Sequence, residues 1–375
     1  MKKTGKFDLT YITIDSLTEG VGSSQIRPLI SRLSEFGLKI NLISFEKSQP
    51  KIEIIDYFKD LEVDWNFREF KSTGFINGIT RIDELRREIP ETALIHARSD
   101  IPAISGIASH QAPVLWDVRS LWADQKVMIQ RSRLHKLNYA FYRTFESIAA
   151  AASVGMSTLT HAVVPILEER HRKLPTKRTV VPTAVDLNRF KLVEIFPSSY
   201  MALFSGTYND YYDLPLSAAF MKEFKTKVDV DIHWARPLES SKPKINVGED
   251  KIFPSVQLEM ASLIPNYSFG VSICKIDAGP SLTAAMPTKI AEFLACGRPV
   301  VINRGLGDMD QFIEEFDAGV ILDGSLVNLK ESVNRMLNLL ADPLTPFRCR
   351  ALAEKYFDMD RGAAKYLTLY NELKS

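Results

Sequence analysis

The chain has 375 residues, 45% of them hydrophobic, enough for two domains of ordinary size with proper cores. Lys and Arg number 47 against 46 Asp and Glu, a balance that excludes the global basic field that gathers nucleic acid and makes any anion site local. Cys274, Cys296 and Cys349 are odd in number and scattered among apolar residues, which speaks against a disulfide framework and for free core thiols in a reducing compartment.

In chain order, the N-terminal MKKTGKFDLTYITIDS has lysines but no apolar run of a signal peptide, and no segment approaches the roughly 18 apolar residues of a spanning helix. A cytoplasmic location is the expectation. Apolar strand-like runs then alternate with helix-period segments, the pattern of doubly wound parallel sheets. Strands are predicted at 9–15, 39–45, 93–97, 113–118, 153–158 and 178–182, and the pattern restarts at 200–206, 229–235, 268–273, 298–303 and 318–322. Between the halves, TAVDLNRFKLVEIFPSS (183–199) mixes charge, turn residues and a proline without a clear period and reads as a domain boundary. From about Pro343 to the end the period is helical, with Phe347, Leu352, Tyr356, Tyr366, Leu367 and Tyr370 available for packing.

Ligands of open parallel sheets bind beyond the carboxyl ends of the strands, so motifs should follow strands. After the first strand, SLTEGVGSSQIRPLISRLSEFG places Gly20 and Gly22 in a loop that opens a helix. Glycines let backbone approach a ligand and helix-start N–H groups favour an anion, although a plain strand-to-helix turn explains the loop equally well. The third glycine of the dinucleotide fingerprint is missing, and the strand at 39–45 ends without an acid in a ribose-binding position.

In the second half, MPTKIAEFLACGRPVVIN (286–303) begins a short helix at Pro287 and ends it at Gly297. Ile290, Phe293 and Leu294 form a core stripe, while Lys289, Glu292 and Cys296 share an adjoining face. A cation in the first turn is opposed by the helix dipole unless an anionic ligand sits there. Either Lys289 and Glu292 are an exposed i,i+3 pair, or they meet phosphate and hydroxyl groups of a ligand.

PTKIAEFLACGRPVVINRGLGDMDQFI resembles the signature of the retaining glycosyltransferases of family four, the group 1 glycosyl transferases, which have the GT-B fold. The segments at 20–47, 94–106, 116–127, 157–163, 180–190 and 204–214 agree in order and spacing, so the resemblance covers most of the chain. It implies two facing Rossmann-like doubly wound domains with an interdomain cleft. Residues 1–185 would be the N-terminal acceptor-binding domain and 186–360 the C-terminal nucleotide-sugar domain, with 361–375 a helix packing back on the first. The implied activity is metal-independent transfer of a hexosyl-type sugar, with retention, in surface-polysaccharide biosynthesis, from lipopolysaccharide to capsule and exopolysaccharide. A UDP-, GDP- or TDP-sugar would be the donor, a glycan or lipid-linked molecule the acceptor, and no separate cofactor or nucleic acid would be involved.

By the same resemblance, Glu292 matches the second glutamate of the Glu-x7-Glu motif, which holds the ribose, and Ala284 stands where the first is expected. Gly22, Ser23, Gly206, Thr207, Pro287 and Thr288 fall at donor-binding positions. The family commonly offers an Arg and a Lys after the first strand of its second domain, but SGTYNDYYD has no basic residue, which leaves Arg236 and Lys289 for the diphosphate. On the acceptor side stand Arg98, Trp122 and Asp124, and nearest the reacting centre His96, Asp117 and Arg119. Arg119 occupies the place of a family histidine, stays protonated, and so serves as phosphate ligand or partner of Asp117 rather than as a base. His96 reads equally as a strand-end histidine satisfied by backbone.

Asp-x-Asp pairs at 229–231, 308–310 and 358–360 suggest no common metal site, and the histidines form no metal spacing. The segment at 124–153, with Arg131, Arg133, Lys136 and Arg143 among aromatics, fits either a solvated helix flank or peripheral contact with an anionic membrane. Two rival readings stand beside the transferase: a degenerate partner in a polysaccharide-assembly complex, motivated by Ala284, and a nucleotide-sugar epimerase of the same fold.

Overall fold

The computed structural model describes residues 6–72, 75–129, 135–206, 209–236, 250–255 and 259–374. They fall into two compact units, Met1–Pro182 with Met359–Ser375, and Thr183–Asp358.

The first unit holds seven parallel strands: β1 (Leu9–Ile12), β2 (Ile40–Glu46), β3 (Asp64–Glu69), β4 (Ile95–Arg98), β5 (Val114–Val118), β6 (Gly155–Thr158) and β7 (Lys177–Val180). Their spatial order is β3-β2-β1-β4-β5-β6-β7. Helices follow most strands and cover the sheet, so β1, β2, β4, β5 and β6 are buried along their whole length and read as continuous runs rather than alternating ones. β1 pairs with β2 on one side and β4 on the other. The strand order therefore reverses at β1, where ligands of such sheets usually bind.

The second unit repeats the plan with six parallel strands: β8 (Tyr200–Ser205), β9 (Val230–Arg236), β10 (Lys251–Pro254), β11 (Phe269–Ser272), β12 (Val300–Asn303) and β13 (Gly319–Leu322). The order is β10-β9-β8-β11-β12-β13, and the reversal falls at β8. Phe204, Phe220, Phe224, Trp234 and Phe269 fill its core, with Phe224 and Phe269 ring centroids 4.9 Å apart.

The sequence reading lacks β3 and β10. Both are edge strands with mostly half-exposed or exposed side chains, and DWNFRE and KIFP carry no apolar run for a period to report. The irregular segment near 183–199 is organised from outside. Arg298, fully buried, donates to the carbonyls of Val193, Ile195 and Pro265, and Arg350 donates to those of Phe190, Ala295 and Leu187. Two guanidinium forks thus satisfy a stretch of backbone that has no ladder of its own. The last helix, Met359–Lys374, belongs to the first unit and buries Tyr366 and Tyr370 there.

Candidate functional site

The strongest candidate lies at the strand-order reversal of the second unit. β8 ends at Ser205, and Gly206 follows with φ +147°, a conformation that side chains rarely adopt. Ser205 is in register with Ala235, so Arg236 at the end of β9 stands beside Gly206 at the carboxyl edge of the sheet. The helix Thr288–Ala295 starts after Pro287, whose φ of −63° suits the entry, and every residue from Lys289 to Ala295 is buried. Burial of Lys289 and Glu292 removes the reading of an exposed surface pair.

Lys289 is 9% exposed, and its Nζ has no hydrogen-bond partner among the described residues. The amine rests against Gly206, in the space a Cβ would need there. It lies 4.0 Å from the ring centroid of Tyr212 and 5.3 Å from that of Phe204. Burial pushes its pKa down to about 8, against the smaller opposing influence of Cys274 and Glu292. Burial also pushes the Cys274 thiol up to about 12.

Tyr212 is placed by its backbone. Asp213 N–H donates to the Ile273 carbonyl at 2.9 Å, Lys275 N–H to the Tyr211 carbonyl at 3.0 Å, and Tyr211 Oη to the Ser281 carbonyl at 3.2 Å. Asp213 then caps the next helix by accepting from Leu216 N–H at 2.9 Å. Glu292, 3% exposed, lies one turn below Lys289, and Thr288 Oγ1 is 3.4 Å from Thr183 Oγ1. Ala284 is buried at the end of the turn Pro280–Thr283 and carries no polar group toward anything. Thr207 lies outside the described residues.

In the first unit the glycine loop has an organiser that the sequence reading missed. β2 runs one residue further than expected, to Glu46, and that acid ends the strand but is not free for a ribose. Its Oε1 accepts from Leu17 N–H at 2.9 Å and Ser44 Oγ at 2.7 Å, and its Oε2 from Ser16 Oγ at 2.5 Å and Thr18 Oγ1 at 3.2 Å. A Cβ on Gly22 would overlap the Ser16 carbonyl, so the glycine is required by the loop's own packing. Ser23 Oγ donates to the Gly20 carbonyl at 2.9 Å.

His96, Arg98, Asp117 and Arg119 converge at the ends of β4 and β5, but mostly inside the protein. His96 and Asp117 have no exposed surface, and Tyr366 and Tyr370 cover them. His96 Nδ1 is 2.5 Å from Tyr370 Oη and its Nε2 3.3 Å from Asp117 Oδ2. Asp117 Oδ1 accepts from Ser157 Oγ at 2.8 Å and Tyr366 Oη at 3.1 Å. Arg119 donates to Tyr366 Oη at 3.2 Å and lies 3.7 Å from Asp117. Arg98 donates to Asp15 at 2.9 Å. Burial alone would raise the Asp117 carboxyl, but Arg119, His96 and Arg98 outweigh it and hold the carboxyl well below the usual range. Burial lowers His96, which keeps the imidazole neutral near pH 7. What these residues do in the structure is hold one another and the last helix; a group without surface does not meet a substrate.

Of the remaining acceptor-side candidates, Asp124 is held by both guanidinium ends of Arg170 at 2.8 Å, and the Trp122 ring packs on Tyr142 with centroids 4.4 Å apart. In the basic aromatic segment, Arg143 pairs with Glu146, while Arg131 and Arg133 and the side chain of Lys136 lie outside the described residues. No helix among the described residues is long and apolar enough to cross a membrane.

The structure thus gathers Gly206, Arg236, Lys289 and, one turn deeper, Glu292 at one sheet edge, and separately packs His96, Asp117 and Arg119 under Tyr366. Tyr212 and Glu46 are the participants the sequence did not mark, while Tyr366 and Tyr370, read from the helical period as packing residues, are buried as expected and also hydrogen-bond to Asp117 and His96. Only Glu46 had a local signal, as the acid immediately following a buried strand.

No protein-family model matches the chain, and no curated protein matches it in sequence. Solved structures do match in fold. Sucrose-phosphate synthase from Thermosynechococcus elongatus superposes with a TM-score of 0.73 at 13% identity, over 97% of this chain and 98% of that one. HepE from Anabaena, crystallised with UDP and glucose, gives 0.69 at 10% identity, over 98% and 100%. WaaG, a glycosyltransferase involved in lipopolysaccharide biosynthesis, gives 0.66 at 12% identity, over 97% and 99%. Two parallel-sheet Rossmann-like units in this arrangement of strands are the GT-B fold.

Proposed function

We propose that the protein is a retaining glycosyltransferase that takes its sugar from a nucleoside diphosphate sugar and acts in cell-surface polysaccharide biosynthesis. The observation that carries this reading is Lys289: a buried amine with no hydrogen-bond acceptor among the described residues, at the strand-order reversal of the second sheet and in the first turn of a helix. Burying a cation-forming group without a partner is costly, and a diphosphate would supply the oxygens it lacks. Crystal structures of one neighbour, HepE, with UDP, with UDP and glucose and with UDP-glucose support the choice of donor class.

In the proposed reaction the bond between the anomeric carbon and the diphosphate oxygen breaks, and an acceptor hydroxyl oxygen bonds to that carbon on the same face. The acceptor proton passes to the departing phosphate oxygen, so no strong protein base is needed. Lys289 and Arg236 stabilise the charge growing on the leaving group, with Gly206, Pro287 and Thr288 shaping the pocket floor and Glu292 accepting from the ribose. Gly22 and Ser23, at the strand-order reversal of the first unit, are proposed as donor-binding residues. Arg98, Arg119, Trp122 and Asp124 line the acceptor side, and His96 and Asp117 act by holding Arg119. The acceptor is a glycan or a lipid-linked molecule. The cytoplasm is the proposed location, with the acceptor met at the inner face of the membrane.

The buried, apolar Ala284 favours a second reading, a degenerate partner that binds nucleotide without transfer. Thermal shift with UDP-, GDP-, TDP- and CMP-sugars, followed by donor hydrolysis, separates the two. Stabilisation with hydrolysis supports the enzyme, stabilisation without hydrolysis the degenerate partner, and no stabilisation by any of them removes both.

A further inference from the structure

The ring of Tyr212 and the missing Cβ of Gly206 together enclose the end of Lys289, and no sequence pattern points to the tyrosine. We infer that Tyr212 is a positioning residue for diphosphate binding: its ring face and Gly206 form a dry seat that fixes the Lys289 amine where the phosphate oxygens arrive. The inference rests on the proposed role of Lys289 and extends it to the residue that sets its geometry.

Three observations carry it. The amine is 4.0 Å from the Tyr212 centroid, closer than to Phe204, and a cation over a ring face at that range is attracted by the ring's quadrupole. The tyrosine is not on a mobile stem, because the neighbouring residues on both sides are hydrogen-bonded to the chain beyond β11, through Tyr211 with Lys275 and Asp213 with Ile273. The opposite wall is bare backbone, since Gly206 with φ +147° carries no side chain and Nζ occupies the space where a Cβ would stand. Lysine is otherwise a flexible point charge that loses much rotamer freedom when it grips a phosphate. A preformed seat removes that cost beforehand, and burial of the amine in a low-dielectric setting strengthens the ammonium–phosphate attraction.

The seat depends on the ring and not on the hydroxyl, which separates this role from a hydrogen-bonding one. The test is titration of the full chain with inorganic pyrophosphate and with UDP at pH 7 and pH 9, using Tyr212→Phe, Tyr212→Leu and Lys289→Met. Tyr212→Phe should bind within about twofold of the parent, and Tyr212→Leu roughly tenfold more weakly at pH 7. Parent affinity should fall between pH 7 and pH 9, and that fall should shrink in Tyr212→Leu because solvent then reaches the amine. Acetylation of Lys289 by acetic anhydride, read by mass spectrometry, should be faster in Tyr212→Leu than in Tyr212→Phe. This readout holds without any ligand, and circular dichroism checks that each variant is folded.

Equal affinity, equal pH dependence and equal acetylation in Tyr212→Leu and Tyr212→Phe, with Lys289→Met still weakened, would overturn the seat while leaving the role of Lys289. A parent protein that binds neither ligand would overturn the role of Lys289 instead. If Tyr212→Leu does not fold, the acetylation rate of Tyr212→Phe, required to match the parent, still decides against the inference when it is raised.

Discussion

Glu46 at the end of β2 and Leu17 in the loop after β1 are joined by a 2.9 Å hydrogen bond from the Leu17 amide to Oε1, with Ser16, Thr18 and Ser44 completing the carboxylate's shell. One buried acid therefore shapes the loop against which Gly22 packs. Glu46→Gln keeps the volume but turns one acceptor into a donor facing hydroxyls and an amide. Hydrogen bonds to a charged group contribute about 1.5–3 kcal/mol each, so a loss of about 2 kcal/mol or more in urea unfolding is expected. Amide exchange should accelerate in residues 16–24. A stability within about 0.5 kcal/mol of the parent, typical of a neutral surface change, would show that the shell carries no energy.

The buried pair His96 and Tyr370 gives a second prediction. Tyr370→Phe leaves His96 Nδ1 without its partner and should cost about 1–2 kcal/mol. Tyr366→Phe should cost more, since that hydroxyl both donates to Asp117 and accepts from Arg119. The depressed Asp117 carboxyl stabilises the fold above its ordinary pKa of 3.8, and that contribution is lost as pH falls below this value. Asp117→Asn should flatten the acid limb of the stability curve. An unaltered acid limb would mean that Asp117 is not the group responsible.

Lys289 makes the opposite contribution. Its folded pKa, about 8, lies below its ordinary 10.5, so the unfolded chain binds more protons between these values and stability rises with pH across that window. Below about pH 8 the charged amine penalises folding. Lys289→Met should therefore raise stability at pH 7, by on the order of 2 kcal/mol, and remove the rise between pH 8 and 10.5. Equal pH profiles for the two proteins would show that the amine is not desolvated.

Arg298 should matter for folding alone. Arg298→Met leaves two carbonyls of the segment that opens the second unit, Val193 and Ile195, and that of Pro265 without a donor, and about 3 kcal/mol of destabilisation is expected in thermal unfolding. A loss below about 1 kcal/mol would mean that water replaces the guanidinium.

Much of this was legible in the sequence because central parallel strands are buried on both faces and leave apolar runs, while the edge strands β3 and β10 leave none. The helix carrying Lys289 was readable from Pro287 and Gly297 at its ends. Its environment was not, since i,i+3 spacing is the same for a solvated pair and for a buried one. The helical period marks Tyr366 and Tyr370 as packing residues but not whom they meet, since the partners lie far away in sequence: Tyr370 meets His96 from 274 residues away. Tyr212 left no local signal for the same reason. Glu46 escaped for a smaller reason, a strand end misplaced by one residue.

The most direct test of the central claim is calorimetric titration of the parent and Lys289→Ala with inorganic pyrophosphate and with UDP and GDP at pH 7 and pH 9. The account predicts that the parent binds pyrophosphate and at least one nucleotide, that affinity falls from pH 7 to pH 9 as the amine loses its proton, and that Lys289→Ala binds roughly ten- to a hundredfold more weakly with little pH dependence. A parent that binds none of these ligands, or a Lys289→Ala protein that binds them equally well, would contradict it.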